Sequence, residues 1–183
     1  MLVDARSKVD ITSLISYPVS NVSLNGGVWQ QDVNLINNTT NTYVPYVDFN
    51  VVGITSASGT VRVINADNSK SGTSPSNAAL FSFTDKLGSD QIFSPSETTG
   101  SRTVRLQDNA SELFSWDVQV TAYVSSGGSS SSSSSAPSGG SQTSSSSSGL
   151  PTGNLPLTKI TAVMRFTANP LTKQVTSQLI SVK

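Results

Sequence analysis

Residues 112–124, ELFSWDVQVTAYV, alternate apolar and polar side chains along their whole length. One face of this stretch carries Phe114, Trp116, Val118, Val120, Ala122 and Val124, and the other carries Ser115, Asp117, Gln119 and Thr121. A period of two residues is that of a β-strand with one buried face. The stretch therefore predicts a long, half-buried strand with Trp116 in the core.

Similar alternation returns at short intervals, and no window has the 3.6-residue period of an amphipathic helix. The other predicted strands are 19–24, 28–36, 43–52, 60–65, 79–83 and 102–106, with a terminal hairpin formed by 158–168 and 173–182 around the turn at 169–172. Regularly spaced short strands with Gly, Asn and Pro between them are typical of sandwiches. The sequence therefore predicts an all-β fold, an antiparallel β-sandwich of Ig-like or jelly-roll-like type.

A serine tract, SSGGSSSSSSSAPSGGSQTSSSSSG, occupies residues 125–149. It separates a predicted sandwich core, 1–124, from the C-terminal hairpin, 150–183. Ser and Gly offer little apolar surface to offset the entropy lost on ordering, so we expect a flexible loop. The hairpin then completes either the same sandwich or the sheet of a neighbouring subunit.

Composition argues against several classes of function. Charged residues make up 12% of the chain and the formal net charge is zero, so a basic face for nucleic acid or for a membrane surface is not expected. The chain has no Cys and no His, which removes thiol and imidazole catalysis. It has no apolar run long enough for a transmembrane helix, and residues 1–18 lack the apolar centre of a signal peptide. We expect no enzyme and no cofactor.

Pro45 lies inside the predicted strand 43–52, and a strand proline is tolerated mainly at a sheet edge or a bulge. This places 43–52 at or near an edge, where pairing with another chain is easiest. The candidate assembly edges are Tyr43, Pro45 and Tyr46 here, and Val175 and Leu179 in the hairpin. The expected partner is a second copy of the chain.

Turn signatures between residues 30 and 124 point to a known module. They are the N-x-T turn Asn37–Thr39, the strand proline Pro45, the loop Asn65–Asn68, the turn Ser94–Thr98 and the bend Asp108–Asn109. This half of the chain resembles the Ig-like or fibronectin-like β-sandwich modules of bacterial secreted and cell-surface proteins. The resemblance implies a non-catalytic spacer, adhesion or assembly module. Ser96 stands where the pattern prefers Gly, which implies a different backbone geometry at that turn.

Three further groups of residues invite sharper interpretations. Asn65, Asp67 and Asn68 form an oxygen-rich loop that is a weak calcium candidate, although an ordinary Asx-turn is favoured. Of the two glutamates, Glu97 is placed in a turn and Glu112 at the start of a strand, which argues against a glycosidase pair. Candidate glycosylation sites are Asn37, Asn38 and Asn109, with Ser131 and Ser145 in the tract.

Together these features predict a non-catalytic structural subunit of an extracellular or cell-surface assembly, such as a filament, a surface layer or an adhesive module. One alternative is a capsid or decoration protein of a virion, with a jelly-roll fold. The other is a carbohydrate-binding module, which needs an exposed row of Trp29, Tyr43 and Tyr46 and allows a glycan or matrix contact.

Overall fold

The computed structural model describes residues 6–125 and 161–182, and it is all-β in those residues. The strands are β1 Arg6–Asp10, β2 Ile15–Ser16, β3 Val19–Asn25, β4 Val28–Val33, β5 Ile36–Asn37, β6 Val44–Ser56, β7 Arg62–Val63, β8 Ala79–Ser82, β9 Arg102–Gln107, β10 Phe114–Ser125, β11 Thr161–Asn169 and β12 Gln174–Val182. Short 3-10 turns at Thr12–Leu14, Pro75–Asn77 and Thr84–Lys86 are the helical elements of this part of the chain.

The strands form three antiparallel sheets. The largest has the order β12-β11-β10-β6-β8, and β1 also pairs with β10. A second sheet has the order β3-β4-β9-β7, and β2 pairs with β5 in a third. The prediction of an all-β fold with antiparallel sheets is therefore confirmed.

Strand β10, predicted from residues 112–124, lies at the centre of the largest sheet. One of its edges pairs with β6. The other edge pairs first with β11, along Phe114–Val118, and then with β1, along Thr121–Ser125. Its apolar face from Phe114 to Ala122 is buried, with Trp116 fully so, as the alternation predicts.

One cluster of buried side chains includes residues of both larger sheets. Trp29 of β4 meets Phe114 of β10 edge to face, with ring centroids 5.9 Å apart. Trp116 stacks on Phe166 of β11 at 5.2 Å. Aromatic pairs of this kind bury large apolar areas and prefer defined geometries, so they hold the strands in register.

The C-terminal hairpin is attached to the rest of the fold through β11. Besides the Trp116–Phe166 stack, Arg165 donates two hydrogen bonds to the carboxylate of Asp117, at 2.7 and 2.8 Å. These two residues lie directly opposite each other in the β10–β11 register. Hydrogen bonding to Asp117 raises the pKa of Arg165. The hairpin thus extends the sheet of its own chain, while exchange of the hairpin between subunits stays a prediction.

Most predicted strands lie within a few residues of their expected bounds. The predicted strand 28–36 is divided into β4 and β5, and 60–65 is reduced to the two residues of β7. The sequence pattern does not predict β1 or β2. Residues 126–149 of the serine tract, with Ser131 and Ser145, lie outside the described residues.

Candidate functional site

Strand β12 forms one edge of the largest sheet. Its nine residues, QVTSQLISV, contain no charge and no proline. All nine pair with β11 without a register shift, so no bulge interrupts the strand. Within the residues that the structure describes, no strand pairs with its outer side. β12 therefore lacks the charges, prolines and bulges with which proteins usually protect an edge strand.

The two hairpin residues predicted as edge contacts lie on β12 itself. Val175 is partly buried against the core, whereas the side chain of Leu179 is 48% exposed. Thr176, Ser177 and Gln178 between them are exposed. From Val175 to Leu179 the strand thus offers a polar, uncharged surface with one exposed apolar side chain, that of Leu179.

Strand β3 contacts β12 and is an edge of the four-stranded sheet. It is also uncharged, but its pairing with β4 shifts register between Ser20 and Ser23. Asn21, within this irregularity, has a φ of 51°. A bulge of this kind locally disrupts a strand edge, so β3 is a poorer template for pairing than β12.

The opposite edge of the largest sheet, β8, is closed by the loop that was the calcium candidate. Asp67 Oδ2 accepts a hydrogen bond from Ser82 N at 2.7 Å, and Asn68 Oδ1 accepts one from Leu80 N at 3.1 Å. Asp67 N donates to Leu80 O at 2.8 Å. The loop therefore replaces a neighbouring strand along β8.

Asn65 has the same role on the second sheet. Its Oδ1 accepts from Arg105 N at 2.9 Å and its Nδ2 donates to Thr103 O at 2.8 Å, which extends the pairing of β9 beyond β7. The oxygens of Asn65, Asp67 and Asn68 are thus engaged by backbone amides and, for Asp67, also by Arg102. Among the described residues, no group of three or more acidic side chains is arranged to hold a metal ion.

The strand predicted at or near a sheet edge, 43–52, is β6, which lies next to the edge strand β8 rather than at the edge itself. β6 has β10 on one side and β8 on the other. Tyr43 is 1% exposed and exchanges backbone hydrogen bonds with Phe93, at 3.2 and 2.9 Å. Pro45 is tolerated because β8 pairs only with Asp48–Val51, which leaves the start of β6 without that neighbour.

The aromatic row required by the carbohydrate-binding alternative is not formed. Trp29 and Tyr43 are buried, and only Tyr46, 61% exposed, is accessible. Tyr46 lines a shallow groove of about 490 Å³ together with Tyr123, which the sequence pattern does not single out. The other lining residues are Arg6, Pro45, Thr84 and Gln91.

The candidate glycosylation sites differ in access. The sequence predicts Asn37 in an accessible turn, but this residue is fully buried, and its Nδ2 donates to Asn41 O at 2.9 Å and Phe93 O at 3.0 Å. That prediction is wrong because the side-chain amide is bonded within the fold, to the carbonyls of Asn41 and Phe93. Asn38 and Asn109 are exposed.

Both glutamates accept hydrogen bonds from loop backbone. Glu97 Oε2 accepts from Ser94 N at 2.7 Å, and Glu112 Oε2 accepts from Ser58 N at 2.9 Å. The Ser58 hydroxyl bonded to Glu112 lowers the pKa of that carboxyl. Next to Glu97, Ser96 has a φ of 63°, in the left-handed region that Gly favours.

Comparison with protein-family models, with curated proteins and with solved structures found no match for this chain. A search of the described residues found no helix long and apolar enough to cross a membrane. Any assignment of function therefore depends on the geometry of the chain itself.

Proposed function

We propose that this protein is a non-catalytic structural subunit that associates through the outer edge of β12. The observation that carries the proposal is a nine-residue edge strand without charge, proline or bulge, at one end of a sheet whose other end is closed. An open edge of this length is a template for strand addition.

The contrast between the two ends of the sheet supports this interpretation. Side chains of Asp67 and Asn68 satisfy backbone amides of β8, a strand of only four residues. No comparable device protects β12 among the described residues. Because an unprotected edge promotes aggregation, its retention in β12 is best explained by a partner that pairs with it.

We further propose that the two larger sheets are the two layers of a β-sandwich, with β12 and β3 along one side. The Trp29–Phe114 contact between β4 and β10 and the shared buried cluster support this arrangement. The Ig-like or jelly-roll type of the sandwich and the extracellular or cell-surface setting remain predictions from the sequence.

A charge-insertion experiment tests the proposal. Thr176→Lys combined with Gln178→Lys places two positive charges on one face of β12, in the way that natural edge strands are protected. We expect the variant to fold and to lose association, measured as native mass by light scattering across a range of concentrations.

The matched control carries the same added charge away from the edge. Thr172→Lys, in the hairpin turn, is combined with Thr40→Lys, in another exposed bend. The control should associate as the unmodified chain does. Equal association of the edge variant and the control would contradict the proposal.

A further inference from the structure

We infer that the partner of β12 is β12 of a second copy of the chain, paired antiparallel about a two-fold axis near Gln178, so that association ends at a closed dimer. This inference rests on the proposed function, because it uses the same edge. It adds the identity of the partner, the symmetry of the contact and the size of the product.

The closed state of β8 excludes the head-to-tail alternative. If β12 of one copy paired with β8 of the next, each copy would present a new β12 and the assembly would grow as an open filament. However, the amides of Leu80 and Ser82 already donate to Asn68 and Asp67. Leu80 O is also occupied, by the amide of Asp67.

The second sheet offers no regular alternative. The side of β9 that faces away from β4 is covered by β7 and by the side chain of Asn65. At the other end of this sheet, the irregular pairing at Asn21 interrupts the edge strand β3. The outer side of β1 is a further described edge, but β1 has only five residues and three of them are charged, Arg6, Lys8 and Asp10. Among the strands that the structure describes, β12 is therefore the long, uncharged, regular and open edge, and joining two copies through this edge alone uses the same surface on each.

The composition of β12 suits pairing with itself. A two-fold axis places each residue near its own counterpart, so a charged strand would bring like charges together, which destabilises a sheet. β12 has no charged residue. An axis at Gln178 sets Leu179 of one copy opposite Ser177 of the second copy. These two residues lie on the same face of β12, because they are two positions apart. The alternation of faces is therefore kept across the junction, and the exposed Leu179 loses contact with water.

Cysteine cross-linking tests the axis directly, since the full chain contains no Cys. In the Gln178→Cys variant, the two thiols of a dimer face each other across adjacent antiparallel strands, where Cα atoms are about 4.5–5.5 Å apart, within the range of a disulfide. Mild oxidation should give a covalent species of twice the 19.1 kDa chain mass.

The matched control is Leu171→Cys, at the highly exposed tip of the same hairpin. Residue 171 lies seven positions from the axis, which separates its two copies by on the order of 40 Å at the rise of a β-strand. This variant should stay monomeric on denaturing gels under the same oxidation. Circular dichroism checks that both variants fold.

Sedimentation of the unmodified chain separates this inference from the proposed function. A monomer–dimer equilibrium, with efficient cross-linking of the Gln178→Cys variant, supports both. Particles larger than dimers that the two-lysine variant abolishes support the edge but overturn closure at the dimer. A dimer whose Gln178→Cys variant does not cross-link overturns the two-fold axis. A monomer at every concentration overturns self-pairing, and the proposed function then requires a partner with a different sequence.

Discussion

Asn37 is the buried polar residue that joins two loops of the fold. Its amide donates to Asn41 O and Phe93 O, and its Oδ1 accepts from Thr39 N at 3.0 Å. Backbone bonds from Asn37 N to Glu97 O and from Ser96 N to Asn37 O continue the same connection. The residue thus couples the segment before β6 to the turn around Glu97.

We therefore expect Asn37→Ala to destabilise the fold, because it removes the side-chain hydrogen bonds to Asn41 O, Phe93 O and Thr39 N, of which the bond to Phe93 is buried. The expected loss in unfolding free energy is about 1–3 kcal/mol, measured by urea denaturation. Asn38→Ala, at the exposed neighbouring residue, is the control and should change stability by less than about 0.5 kcal/mol. Similar values for the two variants would show that Asn37 has no such role.

For individual side chains, the sequence predicts burial well only where the local alternation of apolar and polar residues is unbroken. Trp116 lies in such a stretch and is buried as predicted. Trp29 shares its buried face with Gln31, a polar residue that obscures the pattern. Tyr43 is buried by pairing with Phe93, a residue in a distant part of the chain, and no local signal reports that contact.

At the scale of the strands, alternation identifies a strand and its buried face but does not identify its neighbours. The bounds of β8, β9, β10 and β12 follow closely from the sequence, whereas the position of β6 between two strands does not. Pro45 indicates an edge or a bulge, and it lies within the irregular pairing of β6 with Thr121–Tyr123 of β10, which the sequence does not distinguish from an edge. The short strand β2 has too few residues to show a period.

The contacts of the 65–68 loop with distant strands are likewise not predicted by local alternation. Its Asn and Asp residues are typical of turns, and Asp67 and Asn68 lie in one. That the side chains reach across to β8 and β9 follows from the pairing of distant segments. The sequence predicts the candidate edge on β12 through Val175 and Leu179, but it does not predict the closed edge opposite it.

At the scale of the whole molecule, closure of one edge limits how many copies associate. The side chains of Asp67 and Asn68 that close β8 are here called the cap. Removing this cap should therefore change the size of the assembly. In Asp67→Ala combined with Asn68→Ala, β8 loses the acceptors for the amides of Leu80 and Ser82. We expect β12 of another copy to pair there, so that light scattering detects oligomers larger than dimers.

The control for this change is Asp90→Ala combined with Asn38→Ala, which alters the same residue types at exposed positions away from β8. Adding Thr176→Lys and Gln178→Lys to the cap variant should abolish its growth, because both contacts use β12. The sizes of the cap variant and of its control are compared below the unfolding temperature of each. A cap variant that stays the size of the unmodified chain would show that the loop does not restrict assembly.

Amide hydrogen exchange at increasing protein concentration distinguishes a paired β12 from an unpaired one, because it reports on each strand edge separately. If β12 pairs with a second copy, the amides of β12 that point away from β11 become protected as the concentration rises. The amides of β8 should be protected equally at every concentration, since their acceptors lie in the same chain. Fast exchange in the outward amides of β12 that does not change with concentration would show that β12 does not pair with a second copy.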